Sequence, residues 1–347
     1  MRFSTCQAKN FIPTLALTKK KGEDYSIPSR NEGGIVMMTK KWRRKWEAVG
    51  EKLTFIFGPP IILLIKLIPL SGVYLLGTAF ARIAGLFSGR RKKIALANLH
   101  LVFGKRKSEE EINAIYRECL TRTVTSFLEA MKFCFLPPPV AKGLIEIVGK
   151  EHLDATLKRG KGIIIAGLHL GNFPLLAAKL AMEGYPIAVI IKKPRNKYLA
   201  RLYTRMTDTV GVGFIDGRER RLAAQQSLRQ LRGGGIVYII IDQNPPYPDI
   251  VVDFFGYAVP SFKGPVVLAM RTGAAILPAF IVYSNGWRHK LFIEKPFTLE
   301  TTGDQERDVA HNLARLMKLA EGYIEQYPEQ WWWWHRRWKR HIDYKHL

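Results

Sequence analysis

"GKGIIIAGLHLGNFPLLAAKLA", residues 160–181, decides the architecture. Residues 163–166 are apolar without alternation, the pattern of a strand buried on both faces. His169 interrupts the run and Gly171 and Asn172 follow. From 172 to 183 apolar residues return at helical spacing. A buried strand leading through a short turn into a helix is half of a βαβ unit. A titratable ring thus stands at the carboxyl end of a strand, where open α/β sheets gather their functional groups.

The pattern repeats. Apolar runs at 187–191, 236–241 and 276–282 read as further buried strands. Helical stretches around 197–209, 219–232 and 262–272 separate them. Upstream, Ser108 with Glu111 spells a capping box that opens a helix over 108–135, and Pro137 to Pro139 end it. An amphipathic helix is expected over 305–327. The fold class is α/β, with a mixed, mostly parallel central sheet flanked by helices and an N-terminal apolar, membrane-associated helical segment.

Three divisions follow. Residues 1–36 are polar and aperiodic and read as a disordered extension. Residues 37–107 read as a membrane-anchoring segment with basic flanks, and 108–347 as the main domain. From 55 to 87 the chain is strongly apolar, interrupted by Pro59, Pro60, Lys66, Pro69 and Arg82. No unbroken run reaches the ~20 residues of a clean transmembrane helix. One span, or two shorter hairpin or interfacial helices, both fit. Trp42, Trp46, Arg90 and Arg91 flank the segment at headgroup level. "PEQWWWWHRRWK", residues 328–339, assigns Trp332, Trp333, Arg336 and Arg337 to the same interface. Four consecutive indoles on a helix cannot all face one core.

The chain of 347 residues carries a net charge of +25. Such a field favours a polyanionic partner: a membrane surface, an acidic protein or nucleic acid. Cys6, Cys119 and Cys134 are scattered, without a metal-binding or disulfide spacing, and read as reduced thiols. No recognised nucleic-acid-binding motif is present. His169 is a candidate general base, with backbone N–H groups at Gly171 and Asn172 as candidate oxyanion donors. On position alone, a satisfied histidine beside a helix start is the simpler reading.

The wider sequence changes that weighting. "HLGNFP" (169–174) resembles the His-x4-acid motif of glycerolipid acyltransferases, written H-x-G-N-W-E in the lipid A biosynthesis lauroyl/myristoyl acyltransferases, a branch of the lysophospholipid acyltransferase superfamily. "RRKKIALANLHLVFG" (90–104) is similar to that branch's arginine-rich lead into N-L-x-x-x-F. "VGKEHL" (148–153), "IIIDQ" (239–243), "FFG" (254–256), "RTGAAILP" (271–278) and "PEQWWWWHRRWK" resemble further blocks, in order, over about residues 50–340.

The resemblance implies a membrane-associated O-acyltransferase. It would move a fatty acyl chain from acyl carrier protein, or coenzyme A, to a hydroxyl of a lipid A precursor or related anionic glycolipid. It implies a bacterial inner-membrane enzyme with its catalytic domain facing the cytoplasm, and no metal, cofactor or nucleic acid. His169 is then the catalytic base. Pro174 stands where the family places Asp or Glu. Asp242, ending the run 236–241, is the first substitute, and the family carries an acid there too. Asp216 is the second. Lys193, Arg195 and Arg205 are candidates for holding substrate phosphates. Two alternatives stay open: a catalytically degenerate lipid-binding relative, suggested by Pro174, and a nucleic-acid-binding protein.

Overall fold

In the computed structural model, strand β2 (Ile163–Gly167) is buried along its whole length. Its side chains alternate between two apolar layers, Ile164 and Ala166 to one and Ile163 and Ile165 to the other, as the period of two requires. The structure describes residues 40–245 and 250–347, with side chains from residue 48 onward. The expected disordered extension and Cys6 lie outside the described residues. Residues 46–347 form one compact unit.

Helices α1 (Lys40–Leu67), α2 (Leu70–Phe87), α3 (Gly89–Phe103), α4 (Glu109–Phe133) and α5 (Pro138–Gly143) come first. There follow β1 (Ile145–Val148), α6 (Lys150–Leu157), β2, α7 (Phe173–Met182), β3 (Ile187–Ile191), α8 (Lys197–Val210), β4 (Gly213–Asp216), α9 (Arg220–Arg232) and β5 (Ile236–Ile240). A hairpin, β6 (Ile250–Phe254) and β7 (Tyr257–Ser261), precedes α10 (Gly264–Thr272), β8 (Ala275–Asn285), β9 (Arg288–Ile293) and α11 (Gln305–Gln326). The main sheet has the order β1-β9-β8-β2-β5-β3-β4. Its run from β8 to β4 is parallel, β9 is antiparallel to β8, and β1 is parallel to β9. The fold is therefore the mixed, mostly parallel sheet flanked by helices. Strands β1 and β9, "IEIV" and "RHKLFI", carry charged residues among their apolar ones. They lie at the reversed end of the sheet, which explains their weak sequence signal.

The capping box of α4 forms with both hydrogen bonds. Helix α1 continues through Pro59 and Pro60, and the break falls at residues 68–69 instead. Pro69 caps α2 from an extended conformation, where the missing proline N–H costs nothing. The apolar segment is thus two helices. Both 48–67 and 70–87 are long and apolar enough to cross a membrane. Leu75, Leu86 and Phe87 are among their many exposed apolar side chains. Helix α3, although basic at its start, buries Ile94, Ala95, Leu99 and Phe103, the last three in the main core. It belongs with the globular body.

The tryptophan run is placed differently from the interfacial expectation. After one 3-10 turn at Pro328–Gln330 the chain runs as an irregular strap. A strap points successive side chains in different directions, so the helix-based argument does not apply. Trp333 and Arg337 are 0 % exposed and Trp331, Trp334 and Trp338 are buried with them. Trp331 and Trp333 pack edge to face at 4.6 Å, a favoured aromatic geometry. Trp332 is partly buried, at 6.1 Å from the Phe127 ring. Asn98 of α3 fixes the strap by donating to the Trp333 and His335 carbonyls. Trp333 and Arg337 are core residues, not headgroup contacts.

Candidate active site

The register of β2 against β5 decides the site. Every paired residue is offset by 73: Ile163 with Ile236, Gly167 with Ile240. The Ile241 N–H donates to the Gly167 carbonyl, continuing the ladder. The same offset brings His169 opposite Asp242, two residues beyond the end of each strand. His169 Nδ1 lies 2.7 Å from Asp242 Oδ1, and the His169 backbone N–H donates to Asp242 Oδ2 at 2.9 Å.

Asp242 is 1 % exposed and the His169 side chain 20 %. The Trp331 indole N–H also donates to Asp242 Oδ2, at 2.7 Å. Burial alone would push the Asp242 carboxyl up. The His169 charge, the two His169 hydrogen bonds and the Trp331 donor outweigh burial and hold it below the usual carboxylate range. An ionised Asp242 accepts from Nδ1–H and leaves Nε2 as the basic atom. The Gln243 side-chain amide sits 3.3 Å from Nε2. Phe173 and Trp332 stand beside the ring, at 4.8 and 6.4 Å between centroids.

The strap holds the turn after β2 as a third strand would. Leu170 bridges Trp331, the Trp332 N–H donates to the His169 carbonyl, and the Gly171 N–H donates to the Gln330 carbonyl. Gly171 has φ +55°, and a Cβ there would lie 2.3 Å from the Ile281 carbonyl oxygen, so only glycine fits. Its N–H is occupied, which removes Gly171 as an oxyanion donor. Asn172 is fully buried; its side-chain amide donates to the Ser126 carbonyl and to Glu129. Its side chain anchors the turn and is closed off from solvent. Among the described residues, the backbone N–H groups of Asn172 and Phe173 meet no protein acceptor. Pro174 sits in the first turn of α7, and the carboxylate on the imidazole comes from the end of β5.

Sequence reasoning passed over the network under this turn. The buried Glu129 carboxylate accepts from Asn172, from the Tyr283 hydroxyl at 2.7 Å and faces His289 Nε2 at 2.9 Å. Burial, and then the Glu129 charge, push the Tyr283 phenol far up. A lone acid among apolar residues of α4 was the available signal. Gln243 was visible only as part of the "DQ" block.

The remaining candidates scatter. Asp216 accepts from the Arg218 N–H and does not reach His169. The Lys193 ammonium lies over the Phe214 ring at 4.3 Å. Arg195 and Arg205 are exposed, before and on α8. Arg336 is partly exposed and lines a pocket with Arg90 and Arg91. The side chains of Trp42 and Trp46 lie outside the described ones. Cys119 is buried, its thiol pushed up to about 12 by burial. A mostly apolar pocket of about 510 Å³ opens beside the carboxyl ends of β3 and β5, between α9 and α10. Ile190, Ile239, Phe262 and Leu268 line it, with Pro245 from the loop that follows Asp242.

This geometry can be set beside known proteins. Residues 41–340 match the family model described as bacterial lipid A biosynthesis acyltransferase. The chain belongs to that family. It is an acyltransferase by that membership. It is 24 % identical over 286 residues to the lipid A biosynthesis lauroyltransferase of Escherichia coli (strain K12), covering 81 % of this chain and 90 % of the relative. It is 26 % identical over 293 residues to that organism's lipid A biosynthesis palmitoleoyltransferase, covering 82 % and 90 %. It is 22 % identical over 248 residues to the phosphatidylinositol mannoside acyltransferase of Mycolicibacterium smegmatis, covering 70 % and 77 %.

Proposed function

We propose that this acyltransferase moves a fatty acyl chain from a thioester donor to a hydroxyl of a lipid A precursor or a related anionic glycolipid. The donor is acyl carrier protein, with coenzyme A as the alternative. The reaction takes place at the cytoplasmic face of a bacterial inner membrane. The observation that carries the reading is the 2.7 Å contact between His169 Nδ1 and the buried Asp242 carboxylate.

Asp242 fixes the imidazole with its proton on Nδ1. The acceptor hydroxyl displaces the Gln243 amide from Nε2 and gives up its proton there as its oxygen attacks the thioester carbonyl. Charge develops on the carbonyl oxygen. The backbone N–H groups of Asn172 and Phe173, at the positive end of α7, are the donors proposed for it. The tetrahedral intermediate collapses, the C–S bond breaks, and the imidazolium returns its proton to the thiolate. An ester and a free thiol result.

Three features support the setting. The 510 Å³ pocket is mostly apolar, with Lys192, Arg218, Arg220 and Arg271 also in its walls, and suits an acyl chain with a polar head. The exposed apolar surfaces of α1 and α2 suit a bilayer. The charge of +25 suits an acidic carrier protein and an anionic lipid. The reading as a non-catalytic relative rested on Pro174. Asp242 supplies the carboxylate that Pro174 lacks, which favours turnover.

The test is acyl transfer by detergent-solubilised protein, with product identified by mass spectrometry. Acyl-carrier-protein and coenzyme A thioesters of several lengths would be offered with lipid A precursor and phosphatidylinositol mannoside acceptors. Product from the wild type that vanishes in His169→Ala is expected. Undiminished product from His169→Ala, or none from the wild type with any pair, overturns the reading.

A further inference from the structure

The mechanism leaves a second pocket unused. It holds about 350 Å³ between the first turn of α3 and the C-terminal strap. Its walls include Arg90, Arg91, Trp334, His335, Arg336 and Lys339. Two segments more than 240 residues apart in sequence thus converge four cations on one cavity; Arg91 Nη1 touches the Trp334 carbonyl across it. No carboxylate lines the pocket. Among the described residues, none of the four cations forms an ion pair.

His335 adds a neutral donor. The Asn244 backbone N–H donates to its Nε2 at 3.1 Å, so the ring proton is on Nδ1. Burial pushes its pKa down to about 4, so the ring is uncharged at neutral pH. Guanidinium forks, an ammonium and a neutral N–H around a small cavity match the oxygens of a phosphate ester. The α3 N-terminus adds its positive dipole end.

The pocket also adjoins the catalytic loop. Residues 242–245 carry Asp242 and Gln243 at His169, Asn244 on His335, and Pro245 in the apolar pocket. On its other side, Arg90 follows closely after Leu86 and Phe87, each 83 % exposed at the end of α2. A ligand with acyl chains against α2 and a phosphate at Arg90 would therefore reach the dyad from the lipid side. We propose that this pocket is a phosphate-ester subsite that seats the phosphate of the anionic lipid acceptor. The proposal rests on the acceptor reading above. The donor's phosphopantetheine and bulk phospholipid headgroups share this chemistry, so the test separates them.

The variant is Arg90→Gln with Lys339→Gln, both exposed, in the full chain in detergent micelles. The probes are a phosphorylated glycolipid acceptor and its enzymatically dephosphorylated counterpart. At about tenfold per lost charged contact, the KM for the phosphorylated acceptor should rise about 100-fold. The preference between the two acceptors should collapse while the donor KM holds, and Arg90→Lys with Lys339→Arg should restore most of it. A rise in donor KM assigns the pocket to the donor phosphate and overturns the proposal. An equal loss on both acceptors overturns it too. So does weaker flotation with phosphatidylglycerol vesicles at an unchanged acceptor KM. Direct titration with the two glycolipids separates this from the activity. Phosphate-dependent binding, lost in the double variant, upholds the subsite even where no donor is turned over; binding without discrimination overturns it.

Discussion

Replacing Asp242 by Asn alters one atom and should disable the base without disturbing the fold. Asp242 Oδ2 accepts two N–H groups, from the His169 backbone and from Trp331. Both are fixed donors, so the single oxygen of the substituted amide must take that place. The amide nitrogen then faces His169 Nδ1 at the 2.7 Å position. Two donors cannot share that contact, so the ring proton moves to Nε2 and the basic lone pair turns inward. A positioned general base contributes about 10² to 10⁴ in rate, or roughly 3–5 kcal/mol of barrier. Since Trp331 and the His169 N–H keep their acceptor, the Tm should stay close to wild type. The assay follows thiol release from the acyl thioester, with circular dichroism to verify folding. His169→Ala with Asp242→Asn should be no slower than His169→Ala alone, because the two residues act as one unit. A kcat for Asp242→Asn within tenfold of wild type, or additive losses in the double variant, would falsify the pairing as the catalytic device.

Gly171→Ala should destabilise strongly, because the new Cβ would meet the Ile281 carbonyl in a left-handed backbone; thermal unfolding and activity should fall together. Arg337 donates to Asn244 Oδ1, the Pro260 carbonyl and Ser261 Oγ while fully buried. Arg337→Met strands these acceptors and should cost about 3 kcal/mol in denaturant unfolding; an unchanged midpoint would remove the strap's assigned role. His335 has a folded pKa of about 4, below its ordinary 6.5. The unfolded chain therefore binds its proton first as pH falls. The stability it contributes is fully present above pH 6.5 and declines between 6.5 and 4, by at most about 3 kcal/mol. Asp242, held low, contributes its dependence only below about pH 4. His335→Gln should flatten the Tm-against-pH curve across the 6.5-to-4 window, and an unaltered slope there would refute the assignment.

The sequence alone determined four central strands of the sheet and the histidine of the site. Unbroken apolar runs in 163–166, 187–191, 236–241 and 276–282 read as buried strands, because burial on both faces erases alternation and the runs are too short for buried helices. The helices between them keep a 3.6-residue period for the same reason of burial on one side. His169 was legible because it ends such a run. Asp242 was legible as the first of two acids at strand ends, favoured there by the family resemblance. The strand order supplies the physical reason that Asp242 and not Asp216 reaches His169, since β5 pairs with β2 whereas β4 lies at the far edge. The tryptophan run was misread because indole direction depends on backbone path, and the strap's irregular path is set by Asn98, Gln330 and the turn after β2. Likewise Gly171's N–H, Asn172's anchor on Glu129 and the meeting of Arg90 with Lys339 join residues far apart in sequence. Local spacing carries information only along one strand or helix. Which ends meet, and which donors are already taken, is decided by packing between elements.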